Sequence, residues 1–173
     1  MTEPMRVGVR VGLGWDLHRL VPGRKFVLGG VEIPHSRGPL GHSDADPLLH
    51  ALADAVLGAA GLGDLGDHFP PADPQWKDAD SRLILAKALE EAKGRGLVPV
   101  NADCIVVLEE PRLGPFKASV RKSVAEALGL PEAAVNVKAK TAEGLGAVGT
   151  GDAIEAHAVV LLRPIYLFEG KKA

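Results

Sequence analysis

The sequence is poor in cysteine and has no long apolar segment. Cys104 is the only cysteine and lies within an apolar run, which excludes a disulfide framework and favours a reducing compartment. No apolar stretch approaches the roughly 18 residues that a membrane-spanning helix needs, and no segment has the apolar centre of a signal peptide. We therefore expect a soluble, cytoplasmic protein with no membrane partner.

Aromatic residues are few, and neither positive nor negative charge is in large excess. Aromatic residues make up 4% of 173 residues and hydrophobic residues 46%, so the core is expected to consist mainly of alanine, valine and leucine. Twenty Lys and Arg residues against 22 Asp and Glu residues give a net charge of −2, and the basic residues are scattered. This pattern argues against a nucleic-acid partner. The length predicts a single domain over residues 1–173.

The first half of the chain predicts a strand, a hairpin and a helix. Alternation with a period of two predicts a strand over residues 6–14, and two short apolar runs around a glycine pair predict a hairpin over residues 26–33. A helix is predicted from about Pro47 to about Ala60. An aspartate or serine precedes it as a cap, proline suits its first turn, and Gly61 stops it.

The second half predicts two amphipathic helices among three strands. The further predicted elements are helices over residues 81–94 and 115–128, and strands that begin near Val100 and span residues 135–140 and 153–165. Loops are predicted over residues 34–40, 61–80 and 141–152, and a loop as long as the second is typically functional.

This order of elements predicts an α/β (α+β) fold, an open mixed β-sheet with helices packed on one face. Three helices are enough to cover that face, so the opposite face must be covered in another way. Self-association of the chain through the opposite face is the simplest way to cover it.

Two separate segments offer ligands for a metal ion. Asp16 and His18 are two residues apart and project to the same side if their segment is extended. His50 lies on the predicted first helix among core-type residues, where a polar ring needs a partner. One carboxylate and two imidazoles are ligands that Zn²⁺ accepts, and three protein ligands leave a fourth position open, as in catalytic zinc sites.

Ordinary structural roles can also explain most of these polar residues. Asp-x-His is a weak motif by itself, and two polar residues exposed to water would account for it. Asp44 and Asp46 are most simply acids that accept hydrogen bonds from free N–H groups at the start of the helix. Asp54, one helical turn after His50, is a candidate partner for a metal-binding ring.

A phosphate site is one interpretation of the region after the strand at 135–140. Lys138 and Lys140 end that strand beside Thr141 and Glu143, and a glycine-rich loop follows. Lysine, threonine and backbone N–H groups all donate to phosphate oxygens. Ordinary turns and solvent-exposed charges are the alternative.

Five stretches together carry a specific resemblance. They are GWDLHRL at 14–20, LGGVEIP at 28–34, the long block GHSDAD…HALADAVLGAAGLGDLGDHFP at 41–70, DPQWKDADS at 73–81 and VNVKAKTAEGLG at 135–146. In this order they resemble the 2-C-methyl-D-erythritol 2,4-cyclodiphosphate synthase family of the non-mevalonate isoprenoid route. The resemblance covers nearly the whole chain, and the block at 41–70 is its most specific part.

The resemblance implies a cyclising, CMP-releasing phosphorus–oxygen lyase. Its substrate would be 4-diphosphocytidyl-2-C-methyl-D-erythritol 2-phosphate, and its products 2-C-methyl-D-erythritol 2,4-cyclodiphosphate and CMP. It further implies a homotrimer with active sites shared between subunits. Zn²⁺ would be held by Asp16, His18 and His50, and a second divalent cation, Mg²⁺ or Mn²⁺, by Glu143.

The resemblance also assigns residues to the substrate. His42 and Thr141 match positions that stabilise the transition state, and His42 and Ser43 match positions that bind the phosphate and erythritol end. Residues 108–114 match the cytidine pocket. The full set of expected substrate-binding residues is Asp16, His18, His42, Ser43, Asp64, Leu65, Gly66, Phe69, Pro70, Pro71, Ala72, Asp73, Leu108, Glu109, Glu110, Pro111, Arg112, Leu113, Gly114, Lys140, Thr141, Ala142, Glu143, Ala147 and Thr150.

Three positions depart from the family pattern. Lys140 stands where a threonine is common, Ala147 where an aromatic residue is usual, and Thr150 where a basic residue is usual. The last two match positions at a cavity on the trimer axis that is thought to hold an isoprenoid diphosphate. Trp15 keeps the usual aromatic residue of that cavity, but loss of the basic residue weakens the case for diphosphate binding there.

Two other functions remain open from the sequence. One is a metal-dependent phosphohydrolase that uses a zinc-bound water, and the other is a trimeric binding protein without activity. The complete set of Asp16, His18, His42, His50, Thr141 and Glu143 favours the cyclase.

Overall fold

A computed structural model describes residues 8–70 and 73–168 of the chain. The strands are β1 (Arg10–Pro22), β2 (Phe26–Leu28), β3 (Val31–Ile33), β4 (Arg37–Pro39), β5 (Leu97–Val107), β6 (Val135–Lys140) and β7 (Ala153–Pro164). The α-helices are α1 (Pro47–Ala60), α2 (Leu65–His68), α3 (Ser81–Gly94), α4 (Lys117–Leu128) and α5 (Gly146–Gly149). Short 3₁₀ turns occupy Pro74–Trp76, Gly114–Phe116, Glu132–Ala134 and Ile165–Phe168.

Five strands form one mixed sheet in the order β4-β1-β7-β5-β6. Only β5 and β6 pair in parallel, and the other neighbours are antiparallel. The helix α1 packs across β1 and β7, α4 packs against β6, and α3 packs mainly on α1. The predicted fold, an open mixed sheet with helices, is confirmed.

The helix α1 lies unusually close to β1 because two glycines remove the side chains between them. A Cβ atom on Gly12 would lie 1.9 Å from the carbonyl oxygen of Ala55, and one on Gly14 would lie 1.9 Å from that of Ala51. Both distances are far below any allowed contact. The Gly-x-Gly of the strand and the alanines of the helix therefore fix the spacing of these two elements, and both carry candidate metal ligands.

The ends of α1 agree with the prediction from sequence. The side chain of Asp46 accepts from the backbone N–H groups of Leu48 and Leu49, and Gly61 closes the helix in the left-handed conformation. The second oxygen of Asp46 accepts from the N–H of Gly30 at 2.7 Å. This bond ties the turn of the β2–β3 hairpin to the start of the helix.

The structure contains short elements that the sequence did not predict. The expected loop over residues 34–40 includes β4, an edge strand that pairs with the end of β1. The expected loops over 61–80 and 141–152 include α2 and α5. The fourth helix begins at Lys117 because the preceding residues form a 3₁₀ turn. Elements of three or four residues are too short to show a hydrophobic period.

The face of the sheet opposite α1 is exposed and apolar. Along β1, even-numbered residues face the helix and odd-numbered residues face away from it. The exposed row consists of Val11, Leu13, Trp15 and Leu17, and Val159 of the neighbouring strand extends it. Within the described ranges, no helix is both long enough and apolar enough to cross a membrane.

Candidate metal and nucleotide site

The structure brings the three predicted metal ligands together where α1 crosses β1. Asp16 Oδ2 lies 2.8 Å from His18 Nε2 and 2.9 Å from His50 Nδ1, and the two ring nitrogens are 3.3 Å apart. Asp16 and His18 are on the same side of β1, as the spacing predicted, and His50 belongs to the first turn of α1. One carboxylate and two imidazoles therefore converge on one point.

The outward-facing nitrogen of each ring is held by a hydrogen bond. His18 Nδ1 lies 2.9 Å from the carbonyl oxygen of Leu40, which can only accept, so Nδ1 donates and Nε2 keeps its lone pair. His50 Nε2 lies 2.9 Å from Ser81 Oγ and 3.1 Å from Ser43 Oγ. Such outer bonds fix the ring that binds a metal.

The electrostatics of the cluster favour a cation. Burial raises the pKa of Asp16, but hydrogen bonds and charge from His18 and His50 outweigh it and bring the pKa well below its usual range. Burial lowers the pKa of His18, but its hydrogen bond and charge interaction with Asp16 outweigh it and raise the pKa overall. An ionised carboxylate beside two imidazoles attracts a proton or a metal ion to the same place.

The donor set fits a divalent metal ion. When both outer nitrogens donate, the three inner atoms are all acceptors, and acceptors 2.8 to 3.3 Å apart repel each other unless a cation lies between them. Asp16, His18 and His50 are the one such cluster among the described residues. They can hold a divalent metal with positions left open for substrate oxygens.

Two further acids near α1 make contacts that the sequence did not predict. Asp44 accepts from the backbone N–H of Asp46 at the start of α1, at 3.2 Å, as expected, and its carboxylate also accepts from the backbone N–H and the hydroxyl of Ser81 at the start of α3. Asp54 does not contact a metal-binding ring. Its carboxylate accepts from the N–H of Leu65 at 3.1 Å and so ties α1 to α2. The partners of the outer nitrogen of His50, Nε2, are Ser43 and Ser81, and the sequence did not predict these two contacts.

The predicted phosphate-binding residues lie just before α1. His42 Nε2 is 3.4 Å from the carbonyl oxygen of Asp73, another of the expected substrate-binding residues. Ser43 is buried, and its hydroxyl accepts from the N–H of Ala45 and contacts the His50 ring. The roles of these two residues toward substrate stay predictions.

The segment that follows α1 contains two capping aspartates. Asp64 caps α2, and Asp73 caps the following 3₁₀ turn. The ring of Phe69 packs edge-on against that of Trp76, with 4.9 Å between the ring centroids. Leu65, Gly66 and Pro70 belong to the same segment. The predicted residues Pro71 and Ala72 lie outside the described residues.

The predicted cytidine pocket lines a separate cavity of about 940 Å³. Leu108, Glu109, Glu110, Arg112, Leu113 and Gly114 line it together with Lys140, Thr141 and Thr150. Sequence reasoning missed His35, Ser36, Arg37 and Lys117, which also line it. Three of these come from the short β4 region and one from the start of α4, so no sequence motif could have linked them to residues 108–114.

A carboxylate holds the loop that follows β6. Glu109 Oε1 accepts from the N–H of Ala142 at 2.8 Å, and Glu143 accepts from the hydroxyl of Thr141 at 2.7 Å. Lys138, which the phosphate interpretation included, is instead paired with Asp103 at 2.5 Å. The phosphate interpretation therefore keeps Lys140 and loses Lys138.

The metal cluster and the cavity are distinct within one chain. None of Asp16, His18 and His50 lines the cavity that contains Thr141. Glu143 is not part of the metal cluster, and its role toward a second cation stays a prediction. Ala147 lines a third region, a cavity of about 630 Å³ beside Leu17 and Arg19.

Comparison with known proteins agrees with the motifs. The model of the YgbB family matches residues 9–163. A 2-C-methyl-D-erythritol 2,4-cyclodiphosphate synthase of Gloeobacter violaceus is 59% identical over 154 residues, which are 89% of this chain and 94% of that protein. The synthase of Moorella thermoacetica is 55% identical over 154 residues, again 89% of this chain and 94% of that protein.

A solved structure extends the likeness to three dimensions. A 2C-methyl-D-erythritol-2,4-cyclodiphosphate synthase in a CDP-bound form has a TM-score of 0.82 and 40% identity, and the match covers 88% of this chain and 99% of that one. The resemblance that the motifs predicted is therefore confirmed. Over residues 9–163, with relatives identical at more than half of the aligned positions, the chain belongs to the YgbB family.

Proposed function

We propose that this chain is a 2-C-methyl-D-erythritol 2,4-cyclodiphosphate synthase of the non-mevalonate isoprenoid pathway. It converts 4-diphosphocytidyl-2-C-methyl-D-erythritol 2-phosphate to 2-C-methyl-D-erythritol 2,4-cyclodiphosphate and CMP, as a phosphorus–oxygen lyase. The observation that carries the proposal is the convergence of Asp16, His18 and His50 in a chain of this family. A single domain over residues 1–173 and a cytoplasmic location stay predictions.

The reaction requires that the protein hold two phosphate groups of the substrate close together. An oxygen of the substrate's 2-phosphate attacks the β-phosphorus of the cytidine diphosphate arm, a new P–O bond forms, and the bond to CMP breaks. The nucleophile is already an anion, so no strong general base is needed. Charge repulsion and in-line positioning are the main obstacles.

Zn²⁺ is the metal that we assign to Asp16, His18 and His50, and Mg²⁺ or Mn²⁺ the one assigned to Glu143. When bound, these cations supply positive charge that offsets the repulsion between the phosphates. The mixed carboxylate and imidazole ligands at the first site suit zinc. A carboxylate alone at the second suits a hard cation that keeps most of its water.

The residues of the chain bind and orient the phosphates. His42 and Ser43 precede α1, whose N-terminus favours anions through its dipole. Thr141 and Lys140 line the cavity beside residues 108–114, where a hydroxyl and an ammonium group can donate to phosphate oxygens. In this proposal, His42 and Thr141 stabilise the charge that develops during transfer.

The cavity at residues 108–114 suits the cytidine diphosphate arm. It is large enough for a nucleotide, and its polar lining includes the cations Arg112, Lys117 and Lys140. A CDP-bound form of a related synthase supports a cytidine nucleotide as the ligand class. Backbone groups of residues 108–114 would recognise the edge of the base.

A homotrimer would join the two halves of the site. Within one chain the metal cluster and the nucleotide cavity are separate, and the sheet carries an exposed apolar row on β1. In the proposed trimer a second copy packs on that row, and the cavity of one subunit and the metal cluster of another serve one substrate. An isoprenoid diphosphate on the axis stays a weaker expectation, because neither Ala147 nor Thr150 offers a positive charge.

One product assay tests the proposed function. The purified full chain, loaded with zinc and supplied with Mg²⁺, is incubated with the cytidine diphosphate substrate and followed by phosphorus NMR. We expect cyclic diphosphate and CMP in equal amounts, zinc at about one per chain, and loss of turnover in His18→Ala. A linear phosphate product would instead indicate a phosphohydrolase, and no product at all would indicate a binding protein.

A further inference from the structure

A series of hydrogen bonds through the buried Ser81 leads from the metal cluster to the start of α3. His50 Nε2 lies 2.9 Å from Ser81 Oγ, and the Ser81 hydroxyl contacts Asp44 Oδ1. The other oxygen of Asp44 accepts from the backbone N–H of Ser81 at 3.1 Å. Ser81 has no exposed surface, so water does not compete for its hydroxyl. We call these three residues the His50–Ser81–Asp44 chain.

The direction of each bond follows from what each group can donate. The Asp44 carboxylate only accepts, so the single hydrogen of the Ser81 hydroxyl points to Asp44. Ser81 Oγ then offers only lone pairs to His50. Nε2 satisfies them when it carries the ring hydrogen, which leaves the lone pair on Nδ1, the atom that faces Asp16.

A second serine creates a competing arrangement. Ser43 Oγ is 3.1 Å from His50 Nε2 and accepts from the N–H of Ala45. If its hydroxyl donated to Nε2, the hydrogen of His50 would move to Nδ1 and block the metal. The lone pairs of Nε2 and Ser81 Oγ would then face each other at 2.9 Å. The Ser81–Asp44 bond disfavours that arrangement.

We propose that Ser81 and Asp44 are positioning residues that hold His50 in the tautomer able to bind the metal. The inference rests on the metal site of the proposed function. It extends the site to α3, since Ser81 is the first residue of that helix. The metal ligands would thus depend on three elements: β1, α1 and α3.

Two variants and one matched control test the positioning role. Asp44→Ala removes the carboxylate that accepts from the hydroxyl and the N–H of Ser81 and from the N–H of Asp46. Ser81→Ala removes the hydroxyl that links His50 to Asp44. Asp80→Asn is the control: Asp80 also lies at the start of α3 and loses the same charge, but it bonds to Arg82 and not to Ser81 Oγ.

Zinc affinity is measured by chelator competition on each full chain without substrate. We expect Asp44→Ala and Ser81→Ala to bind zinc roughly 10- to 100-fold more weakly, as is typical when a partner of a metal-binding histidine is lost. Asp80→Asn should stay within about twofold of the parent chain, since it leaves the ring's partners in place. Urea unfolding of the metal-free chains checks that each variant folds.

Nitrogen NMR of ¹⁵N-histidine gives a readout that a general loss of stability would not change. In the metal-free protein, at a pH where the ring is neutral by its own signals, His50 should carry its hydrogen on Nε2. In Asp44→Ala and Ser81→Ala, which leave Ser43 free to donate to Nε2, the hydrogen should shift toward Nδ1, and in Asp80→Asn it should not. An unchanged tautomer together with unchanged zinc affinity in both test variants would overturn the proposal, as would a parent chain that binds no zinc.

The outcome is separable from that of the proposed function. If the variants lose zinc affinity but the parent chain forms no cyclic diphosphate, the positioning role stands and the synthase assignment falls. If the parent chain forms cyclic diphosphate and the variants keep both affinity and tautomer, the assignment stands and the positioning role falls.

Discussion

At the scale of single residues, Cys104 shows what complete burial does to an ionisable group. It lies in β5 between Ala158 of β7 and Val137 of β6, with no exposed surface. Burial raises the pKa of the thiol from 9.0 to about 12, and the charge of Asp103 adds to the effect. The thiol therefore stays protonated and unreactive in the folded chain.

This burial predicts a pH dependence of stability. The unfolded thiol ionises near pH 9 and the folded thiol near 12, so its stabilising contribution is complete below pH 9 and is lost as the pH rises toward 12. Between pH 8 and pH 10 the free energy of unfolding should fall by about 1 kcal/mol more in the parent chain than in Cys104→Ala. Urea unfolding of both chains at pH 8, 9 and 10 measures it, and parallel pH profiles would contradict the pKa shift.

Sequence reasoning found the ligands of the metal cluster but not what orients them. Asp16, His18 and His50 were predictable because a period of two and a helical start each place polar groups on a definite side. Ser81 was predictable only as a possible helix cap, because its contact with His50 joins residues 31 positions apart. Neither spacing nor residue type reports such a contact.

At the scale of elements, the close packing of α1 on β1 determines where the metal ligands meet. His50 belongs to the helix, and Asp16 and His18 to the strand. Gly14 lies only two residues before Asp16 and directly beneath the helix backbone. The geometry of the cluster therefore depends on a residue that is not a ligand.

Gly14→Ala should separate the helix from the strand. The added Cβ would meet the carbonyl oxygen of Ala51 at 1.9 Å, and neither backbone can yield without moving the element. We expect a loss of about 3 kcal/mol or more in the free energy of unfolding, together with weaker zinc binding. Urea unfolding and chelator competition measure the two effects.

Gly58→Ala is the matched control, because nothing lies within 4 Å of a Cβ on Gly58 in the same helix. Alanine is the better helix former, so this variant should gain roughly 0.5–1 kcal/mol. If Gly14→Ala and Gly58→Ala behaved alike, close packing would not be what positions the cluster.

Most of the elements were predictable from sequence, but β1 runs from Arg10 to Pro22 and not over residues 6–14, and β4 was not predicted. The bounds of α1 followed from Asp46, Pro47 and Gly61, which are local signals. β4 was missed because a three-residue edge strand is defined by its pairing with β1 and not by its own residues. The same β4 region supplies part of the proposed nucleotide cavity, so that wall of the cavity was missed as well.

At the scale of the whole molecule, the exposed face of the sheet is the feature that one chain leaves unexplained. Leu13 is 68% exposed and pairs with Val159, which is 40% exposed, and Trp15 is 53% exposed. Contiguous apolar surface of this kind marks an interface. Burying each such side chain contributes roughly 1.5–3 kcal/mol, so a row of them can hold subunits together.

Leu13→Glu should therefore dissociate the proposed trimer, because it places a charge in the middle of the row. Sedimentation equilibrium should show a trimer for the parent chain and a monomer for the variant. Turnover should fall by a factor of roughly 100 or more, since the metal cluster and the cavity would no longer share a substrate. Zinc affinity should be unchanged, because Asp16 and His18 lie on the opposite side of the strand.

Leu83→Glu is the control. Leu83 is 61% exposed on α3, away from the sheet, so this variant should remain a trimer and keep its turnover. A parent chain that is monomeric and fully active would contradict shared sites, and so would a Leu13→Glu monomer that retains turnover.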